Sequence, residues 1–294
     1  MKLLRRICVL APLILAGCVE PPIIVVEDES ALRKFYAAAE VGLRRAGLLR
    51  TDTAPADAPF TVDDLVANFE RIALYDEYSV TAGRYVARQT RTHLRRWEGL
   101  VRVAVISGAS TPTATRTRDL REVTRYTARL AELTGADMEM APEEDANLLV
   151  MFLSRSERAE FAATLPDWYP GIDKAVIDAF LNSPINIFCA AFAFPIEGRR
   201  GVYGRSLILV KSEHGNLMRK SCIHEEMAQA MGLSNDSRKA RPSIFNDDEE
   251  FALLTAHDEI LLQMLYDPRL KAGMFAREVL PLLPDIARDA MGGF

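Results

Sequence analysis

The spacing of hydrophobic residues divides the chain into a helical first third and a mixed remainder. Apolar residues recur every three or four positions over 31–49, which predicts an amphipathic helix. Thr61, followed by Val and two aspartates, is typical of a helix start, and the helical spacing continues to residue 75. A further helix is predicted over 82–96. We therefore expect an α-helical N-terminal segment over residues 30–96.

Beyond residue 96 the pattern alternates between strand-like and helix-like stretches. Short apolar runs bounded by turn residues predict strands over 101–106, 146–153, 185–194 and 204–211. Helical spacing falls between and after these runs, over 117–133, 157–165, 217–231, 248–266 and 281–291. This order predicts an α+β fold with a mixed sheet of about four strands and a helical C-terminal subdomain. We place this domain over residues 97–294, with the N-terminal segment packed against it.

The first residues have the pattern of an export signal. Residues 1–6 carry three basic side chains, and the apolar run over 7–16 is too short to span a bilayer stably. The run ends in Leu-Ala-Gly-Cys, which resembles a bacterial lipobox. The resemblance implies that residues 1–17 are a lipoprotein signal peptide, that Cys18 is acylated, and that 18–29 form a tether. A plain secretory signal and a buried N-terminal helix are the alternatives.

Composition and charge are those of a globular protein. Of the 294 residues, 49% are hydrophobic and 26% are charged, which suits a chain with a large core. The net charge is −5, and loss of the three basic residues of the signal would make it −8. An acidic chain without a basic block is not expected to bind nucleic acid or anionic lipid, so the membrane contact is assigned to the lipid anchor. We expect the domain to face the periplasm, and the sequence does not decide between inner and outer membrane.

Four cysteines are present, and two of them lie in the body of the chain. Cys8 belongs to the signal and Cys18 to the lipidation site, which leaves Cys189 and Cys222. Because the cell envelope permits disulfides, we predict that these two pair. Two buried thiols, or Cys222 as a metal ligand, are the alternatives.

One predicted helix, over 217–231, carries the clearest candidate chemistry. At 100° per residue one face is apolar and includes His224, which we therefore expect in the core. The opposite face collects polar side chains, namely Cys222, Glu225, Glu226 and Gln229. A zinc-binding H-E-x-x-H motif that started at His224 would need its second imidazole at position 228, which is Ala.

A register shifted by one residue resembles the metzincin pattern H-E-x-x-H-x-x-G-x-x-H. The matching positions are Glu225 (first ligand), Glu226 (general base), Gln229 (second ligand), Gly232 (turn) and Asn235 (third ligand, with Asp236 beside it). Together with Cys-Ile-x-Glu-Glu-x-x-Gln, Gly-Leu-x-Asn-Asp and the later Leu-Tyr-Asp-Pro-Arg-Leu, this segment resembles an uncharacterised, domain-of-unknown-function family of bacterial lipoproteins grouped with zincin-like metallopeptidases. The resemblance covers roughly residues 97–275 and implies a zincin-like domain.

The departure from the metzincin pattern changes the expected chemistry. Every imidazole is replaced by a carboxylate or an amide, and such oxygen donors suit Ca²⁺, Mg²⁺ or Mn²⁺ better than Zn²⁺. A divalent cation therefore stays open as a cofactor, with zinc disfavoured. Alternatively, the polar face has a structural role and pairs with Arg205 or Lys211.

Three functions are compatible with these residues, and whether the protein is an enzyme stays open. The first is a degenerate metzincin-like domain that binds peptide, cell-wall material or an envelope protein without standard zinc hydrolysis. The second is an active metallopeptidase-like hydrolase, with Glu226 as general base and an ion held by Glu225, Gln229 and Asn235 or Asp236. The third is a structural envelope lipoprotein.

The remaining motifs favour no other chemistry. The chain has neither a G-x-S-x-G elbow nor a glycine-rich phosphate loop. The acidic run 246–250 lacks the alternating spacing of an EF-hand loop, and we interpret it as a solvated helix start. His257 and Asp258 are adjacent on a predicted helix, so they point about 100° apart and do not predict a catalytic pair.

Overall fold

The computed structural model describes residues 28–81 and 84–292, so the predicted signal peptide and Cys18 lie outside it. The helices are α1 (Glu29–Arg45), α2 (Val62–Ala73), α3 (Thr113–Thr134), α4 (Arg155–Ala162), α5 (Leu165–Trp168), α6 (Lys174–Leu181), α7 (Asn216–Ala230), α8 (Ala256–Tyr266), α9 (Ala276–Val279) and α10 (Leu283–Gly292). The strands are β1 (Tyr75–Thr81), β2 (Arg84–Arg91), β3 (Val101–Ser107), β4 (Met138–Met140), β5 (Leu148–Leu153), β6 (Cys189–Pro195) and β7 (Tyr203–Lys211). In the part of the chain described, none of the helices has the length and hydrophobicity needed to cross a bilayer.

A five-stranded mixed sheet forms the centre of the fold. Its strand order is β4-β3-β5-β7-β6, and only the β6–β7 pair is antiparallel. Every residue of β5 is buried, as expected for a parallel strand that is covered on both faces. The predicted α+β class is therefore confirmed. The strand beyond the predicted four is β4, whose three residues are too few to produce a recognisable pattern.

Helices cover both faces of the sheet. One face packs against α3 and α7, with α2, α8 and α10 behind them, and this side holds the larger hydrophobic core. The other face packs against α4, α5 and α6, and Phe180 and Leu165 of these helices share a second core with Leu149 and Leu207 of the sheet. The long axis of α7 therefore lies against the sheet, beside the terminal strand β6.

The N-terminal segment contains two helices and a hairpin. The helices α1 and α2 are found where the spacing predicted them, and Thr61 caps α2 with Asp64 as its reciprocal partner. The predicted helix over 82–96 is wrong, because Arg84–Arg91 is a strand paired with β1. This stretch contains Tyr, Val and Thr, which favour a pleated strand once a partner is available.

The helix α1 is fixed to the domain at two points. The hydroxyl of Tyr36 donates to the carbonyl of Ile185 over 3.0 Å. The carboxylate of Glu40 accepts from the backbone N–H of Met218 in the first turn of α7, where a negative charge is favourable. The element next to the predicted tether is thus packed against the loop before β6 and against α7.

The helix predicted over 248–266 is shorter than expected. It begins after Thr255, whose side chain accepts from the N–H of Asp258, and residues 246–254 form a loop instead. The Asp258 carboxylate accepts from the hydroxyl of Ser243 and the N–H of Ile244, so this buried aspartate holds the loop in place. The acidic run 246–250 lies entirely in this loop, so our interpretation of it as a solvated helix start is wrong.

Candidate acidic cavity

A cavity of about 710 Å³ lies where α7 meets the terminal strand β6. Its walls come from α7, β6, α6 and the first residues of β1, together with the loops before β6 and after α7. The hairpin strand β2 also contacts α6, so the hairpin reaches across this side of the domain. A cleft therefore exists beside the polar face of α7, as both the binding and the hydrolytic hypotheses require.

Three of the predicted site residues reach the cavity from α7 itself. Glu225, Glu226 and Gln229 line it, because positions i, i+1 and i+4 fall within an arc of about 100° around the helix. The Glu226 side chain is only 4% exposed and accepts a hydrogen bond from the backbone N–H of Ala191 in β6. Its second oxygen, Oε2, is buried without a hydrogen-bond partner. A buried carboxylate oxygen in this state needs a proton or a cationic partner.

The segment after α7 brings in Asp236 but not Asn235. Asp236 lines the cavity and accepts from the Gln229 amide over 3.2 Å. Asn235 is fully buried, and its amide donates to the carbonyl of Arg71 over 2.8 Å. Of the predicted ligand set, the structure thus gathers Glu225, Gln229 and Asp236 around the cavity and directs Asn235 toward α2.

Four further carboxylates line the cavity and were not predicted as site residues from the sequence, namely Asp76, Glu77, Asp178 and Glu249. Glu77 comes from β1 and Glu249 from the acidic loop before α8. Glu249 has a φ of 59°, a left-handed conformation that a non-glycine residue adopts at a cost in free energy. Asp76 also lines the cavity, but it forms an ion pair with Arg95. Neither Glu77 nor Glu249 belongs to a recognisable sequence motif.

The cavity carboxylates raise one another's pKa. Burial, followed by repulsion from Glu226 and Asp236, raises the pKa of Glu225 well above its ordinary value. Burial is also the main cause that raises the pKa values of Glu226 and Asp236, with Glu77 as the next cause for both. For Glu77 itself, burial raises the pKa to about 7. These carboxylates therefore hold protons at a pH at which exposed ones have lost them.

The predicted disulfide is confirmed. Cys189 at the start of β6 is bonded to Cys222 on α7, so the two elements that form adjacent walls of the cavity are covalently joined. The sulfur of Cys189 lies 4.0 Å from Oε2 of Glu225. Cys189, Glu225 and Glu226 each place a potential ligand atom within 4.8 Å of the others, but a sulfur engaged in a disulfide is not a thiolate ligand. The alternative of Cys222 as a metal ligand is thus excluded for the oxidised protein.

The donors present do not fit a zinc ion. All four histidines are described and lie outside the cavity wall: His224 stacks on Tyr126, His214 bonds to the carbonyl of Phe188, His257 contacts Asn68 and His93 packs on Phe275. Burial lowers the pKa values of His214 and His224 to about 3, so both are neutral core residues. The cavity therefore offers carboxylates and an amide, and these donors suit a harder cation than zinc.

In the described part of the chain, the polar face of α7 does not form the predicted ion pairs with Arg205 or Lys211. Arg205 lies over the ring of Trp168, with its guanidinium carbon 4.9 Å from the ring centroid. Lys211 is buried and donates to the hydroxyl of Tyr36 and to carbonyls of the loop before β6. The cavity carboxylates are thus not neutralised by these two cations.

Comparison with known proteins identifies the family but not the activity. None of the curated proteins matches the chain. Residues 62–285 match the family described as "Protein of unknown function (DUF2927)", a match that covers most of the chain and includes α2, the hairpin and the whole cavity. The resemblance to an uncharacterised domain family is thereby confirmed, and the chain belongs to the DUF2927 family of proteins of unknown function.

Proposed function

We propose that this protein is a lipid-anchored protein of the bacterial cell envelope whose degenerate metzincin-like domain binds an extended peptide in the acidic cavity, without standard zinc hydrolysis. One observation carries the proposal. The terminal strand β6 lines the cavity beside the carboxylates of α7. A terminal strand offers backbone hydrogen bonds to an added strand, which is a common way to bind peptides.

The backbone of β6 supports strand addition. The carbonyl of Phe192 accepts from the hydroxyl of Ser206 in β7, so the backbone groups of Phe192 face the sheet. Because alternate residues of a strand face opposite edges, those of Ala191 and Ala193 face away from β7. The N–H of Ala191 is donated to Glu226, which thus occupies the position of a peptide carbonyl.

The chemistry of the donors argues against a standard zinc peptidase. A catalytic zinc site in a metzincin-like arrangement uses three firm protein ligands. Here the first two positions hold Glu225 and Gln229, and the Asn235 amide is committed to Arg71. The helix and its glycine turn are retained while the imidazoles are absent, which is the pattern expected of a domain that binds and does not hydrolyse.

A hydrolase is the second candidate, and the state of Glu226 is the observation that favours it. Its carboxylate is buried, one oxygen has no partner, and burial raises its pKa toward the range useful to a general base. Glu225, Gln229 and Asp236 would be the residues to hold a hard divalent cation. This candidate requires an activity that Glu226→Gln abolishes, whereas the binding function requires none.

Lipid anchorage is proposed from the lipobox-like sequence alone. Nine residues lie between Cys18 and Asp28, the residue before α1, and a chain of that length spans at most about 35 Å. An acylated Cys18 would therefore keep the cavity close to the membrane surface. Mass spectrometry of the mature protein tests this: a diacylated or triacylated N-terminal cysteine supports the anchor, and an unmodified Met1 or a cleaved, unlipidated chain contradicts it.

Peptide binding is tested on the full chain in detergent micelles by fluorescence anisotropy. The probe is a fluorescein-labelled nonapeptide of alternating Ala and Thr with one Lys at its centre. Two further peptides are N-methylated, one at its odd-numbered amides and the other at its even-numbered amides. Strand addition predicts that only one of them loses binding, because alternate N–H groups point toward and away from β6. Equal affinities of the two methylated peptides, or a failure of the unmethylated probe to bind, would contradict the proposal.

A further inference from the structure

The charge of the cavity wall is strongly unbalanced. Among the described lining residues there are seven carboxylates, namely Asp76, Glu77, Asp178, Glu225, Glu226, Asp236 and Glu249, against the one guanidinium of Arg95. Arg95 is already paired with Asp76, and Asp178 is paired with Lys174, which leaves five carboxylates. The carboxylates of α7 and its neighbours therefore face one another without a compensating cation from the described lining residues. Bringing such groups together is unfavourable unless a proton or a positively charged ligand joins them.

A second observation points to a ligand rather than to protons alone. Glu226 is only 4% exposed, it projects into the cavity, and its Oε2 has no hydrogen-bond donor. The left-handed backbone at Glu249 adds a local cost at the same wall. Both features are expected where a fold maintains an arrangement that becomes favourable only when something binds.

The shape and the lining of the cavity favour an organic cation over a metal ion. A volume of about 710 Å³ is that of a ligand pocket and far exceeds the space of one ion. Ile187, Phe188 and Ala190 provide an apolar wall next to the carboxylates. An ammonium group on an alkyl stem matches both parts, since it donates three hydrogen bonds while its stem needs apolar contacts.

The cavity provides fewer suitable ligands for a metal ion. Ca²⁺ takes six to eight oxygen ligands. Among the described residues, the cluster of converging ligand atoms consists of Glu225, Glu226 and the disulfide sulfur of Cys189. Two carboxylates and a sulfur that cannot ligate leave most of the coordination shell to water.

We propose that the cavity selects a cationic side chain of the bound peptide, a lysine-like primary ammonium or a guanidinium, by placing it among Glu225, Glu226 and Asp236, with its stem against Phe188. This inference rests on the proposed peptide-binding function and adds its specificity. The cationic group takes the place at Oε2 of Glu226 that is otherwise without a donor.

The test uses three nonapeptides that differ only at the central residue, which is Lys, norleucine or Glu. On the full chain in detergent at pH 7.5, the Lys peptide is expected to bind at least about tenfold more tightly than the norleucine peptide, as for a hydrogen-bonded charged group, and the Glu peptide most weakly. Asp236→Asn and Glu226→Gln should reduce the preference for Lys over norleucine. Glu144→Gln is the matched control, since this exposed carboxylate lies outside the cavity wall.

The outcomes separate the two proposals. Equal affinity for Lys and norleucine overturns the inference and leaves strand addition intact, whereas no binding of any peptide overturns both. A calorimetric titration with Ca²⁺ alone, followed by the Lys peptide, distinguishes the cations. Stoichiometric Ca²⁺ binding that excludes the Lys peptide would show a metal site and overturn the inference.

Discussion

The backbone N–H of Ala191 donates to the Glu226 carboxylate, and this contact joins the terminal strand to the helix at the wall of the cavity. Earlier on each element, the disulfide Cys189–Cys222 makes a covalent connection between the same strand and the same helix. The carboxylates of α7 are therefore held against β6 twice, by a hydrogen bond and by a covalent bond.

The first prediction concerns pH. Because burial and neighbouring carboxylates raise the pKa of Glu226, the folded protein keeps a proton that the unfolded chain loses above about pH 4.5. The free energy of unfolding must then fall as the pH rises through this range, and the window extends to about pH 7 for Glu77. Glu226→Gln is permanently neutral, so its Tm should exceed that of the wild type by at least about 2 °C at pH 8.

The buried histidines also contribute to the pH dependence of Tm, but their contribution is common to variant and wild type, so it cancels in the difference between the two Tm values. The two Tm values should converge at pH 4.5, as measured by differential scanning calorimetry. Glu144→Gln is the control and should show no pH-dependent difference, since Glu144 is exposed. A Glu226→Gln protein less stable than the wild type at pH 8 would show that the carboxylate is charged and well compensated in the folded state.

The second prediction concerns the disulfide. Cys189 and Cys222 are 33 residues apart, and on the chain-entropy model a loop of that length contributes about 3–4 kcal/mol to the free energy of unfolding. Replacing both cysteines by Ala should therefore lower the urea midpoint strongly. The wild type in the presence of a dithiol reductant should unfold like the double variant. A loss below about 1 kcal/mol would mean that α7 and β6 are held together without the covalent bond.

Sequence reasoning found the part of the site that lies on one helix. Glu225, Glu226 and Gln229 are fixed relative to each other by the geometry of α7, so their spacing alone placed them on one wall. The cysteine pair followed from the predicted cell compartment and from simple counting. Both inferences depend on local or covalent relationships that hold whatever the rest of the chain does.

The opposite wall could not be predicted because tertiary contacts determine it. Glu77 belongs to the hairpin whose second strand we predicted as helix, and strand propensity is decided by the partner strand. Glu249 lies in a loop held by the buried Asp258, a contact between segments with no shared motif. Asn235 matched the metzincin spacing, yet the chain after Gly232 turns its amide to the carbonyl of Arg71.

The third prediction concerns a buried ion pair behind the cavity helix. Arg219 of α7 and Asp119 of α3 are each 3% exposed and hydrogen-bonded to one another, and Arg219 also donates to the carbonyl of Ser212. Asp119→Asn leaves a buried guanidinium without its counter-charge, which should cost about 3–5 kcal/mol. Chemical denaturation measures this loss.

The control for the ion pair is Asp285→Asn, which breaks an exposed pair with Arg288. Pairs at the surface contribute little, so this change should stay within about 1 kcal/mol. Similar losses for the two variants would mean that the guanidinium of Arg219 finds solvent or another acceptor when Asp119 is neutral.

The final prediction separates two effects of glycine at helix ends. Gly135 ends α3 with a φ of 65° and has open space where a Cβ would lie, so Gly135→Ala should cost only the left-handed strain, about 1 kcal/mol. Gly232, after α7, has a φ of 126°, and a Cβ there would meet the backbone carbonyl of Arg95. Gly232→Ala must therefore displace the segment that leads from the hairpin into β3, and it should lower the free energy of unfolding clearly more than Gly135→Ala.

Gly99→Ala, with neither strain nor contact, is the baseline in the same urea titration. Since Arg95 and Asp236 flank the cavity on either side of this turn, Gly232→Ala should also weaken binding of the Lys peptide, whereas Gly135→Ala should leave it unchanged.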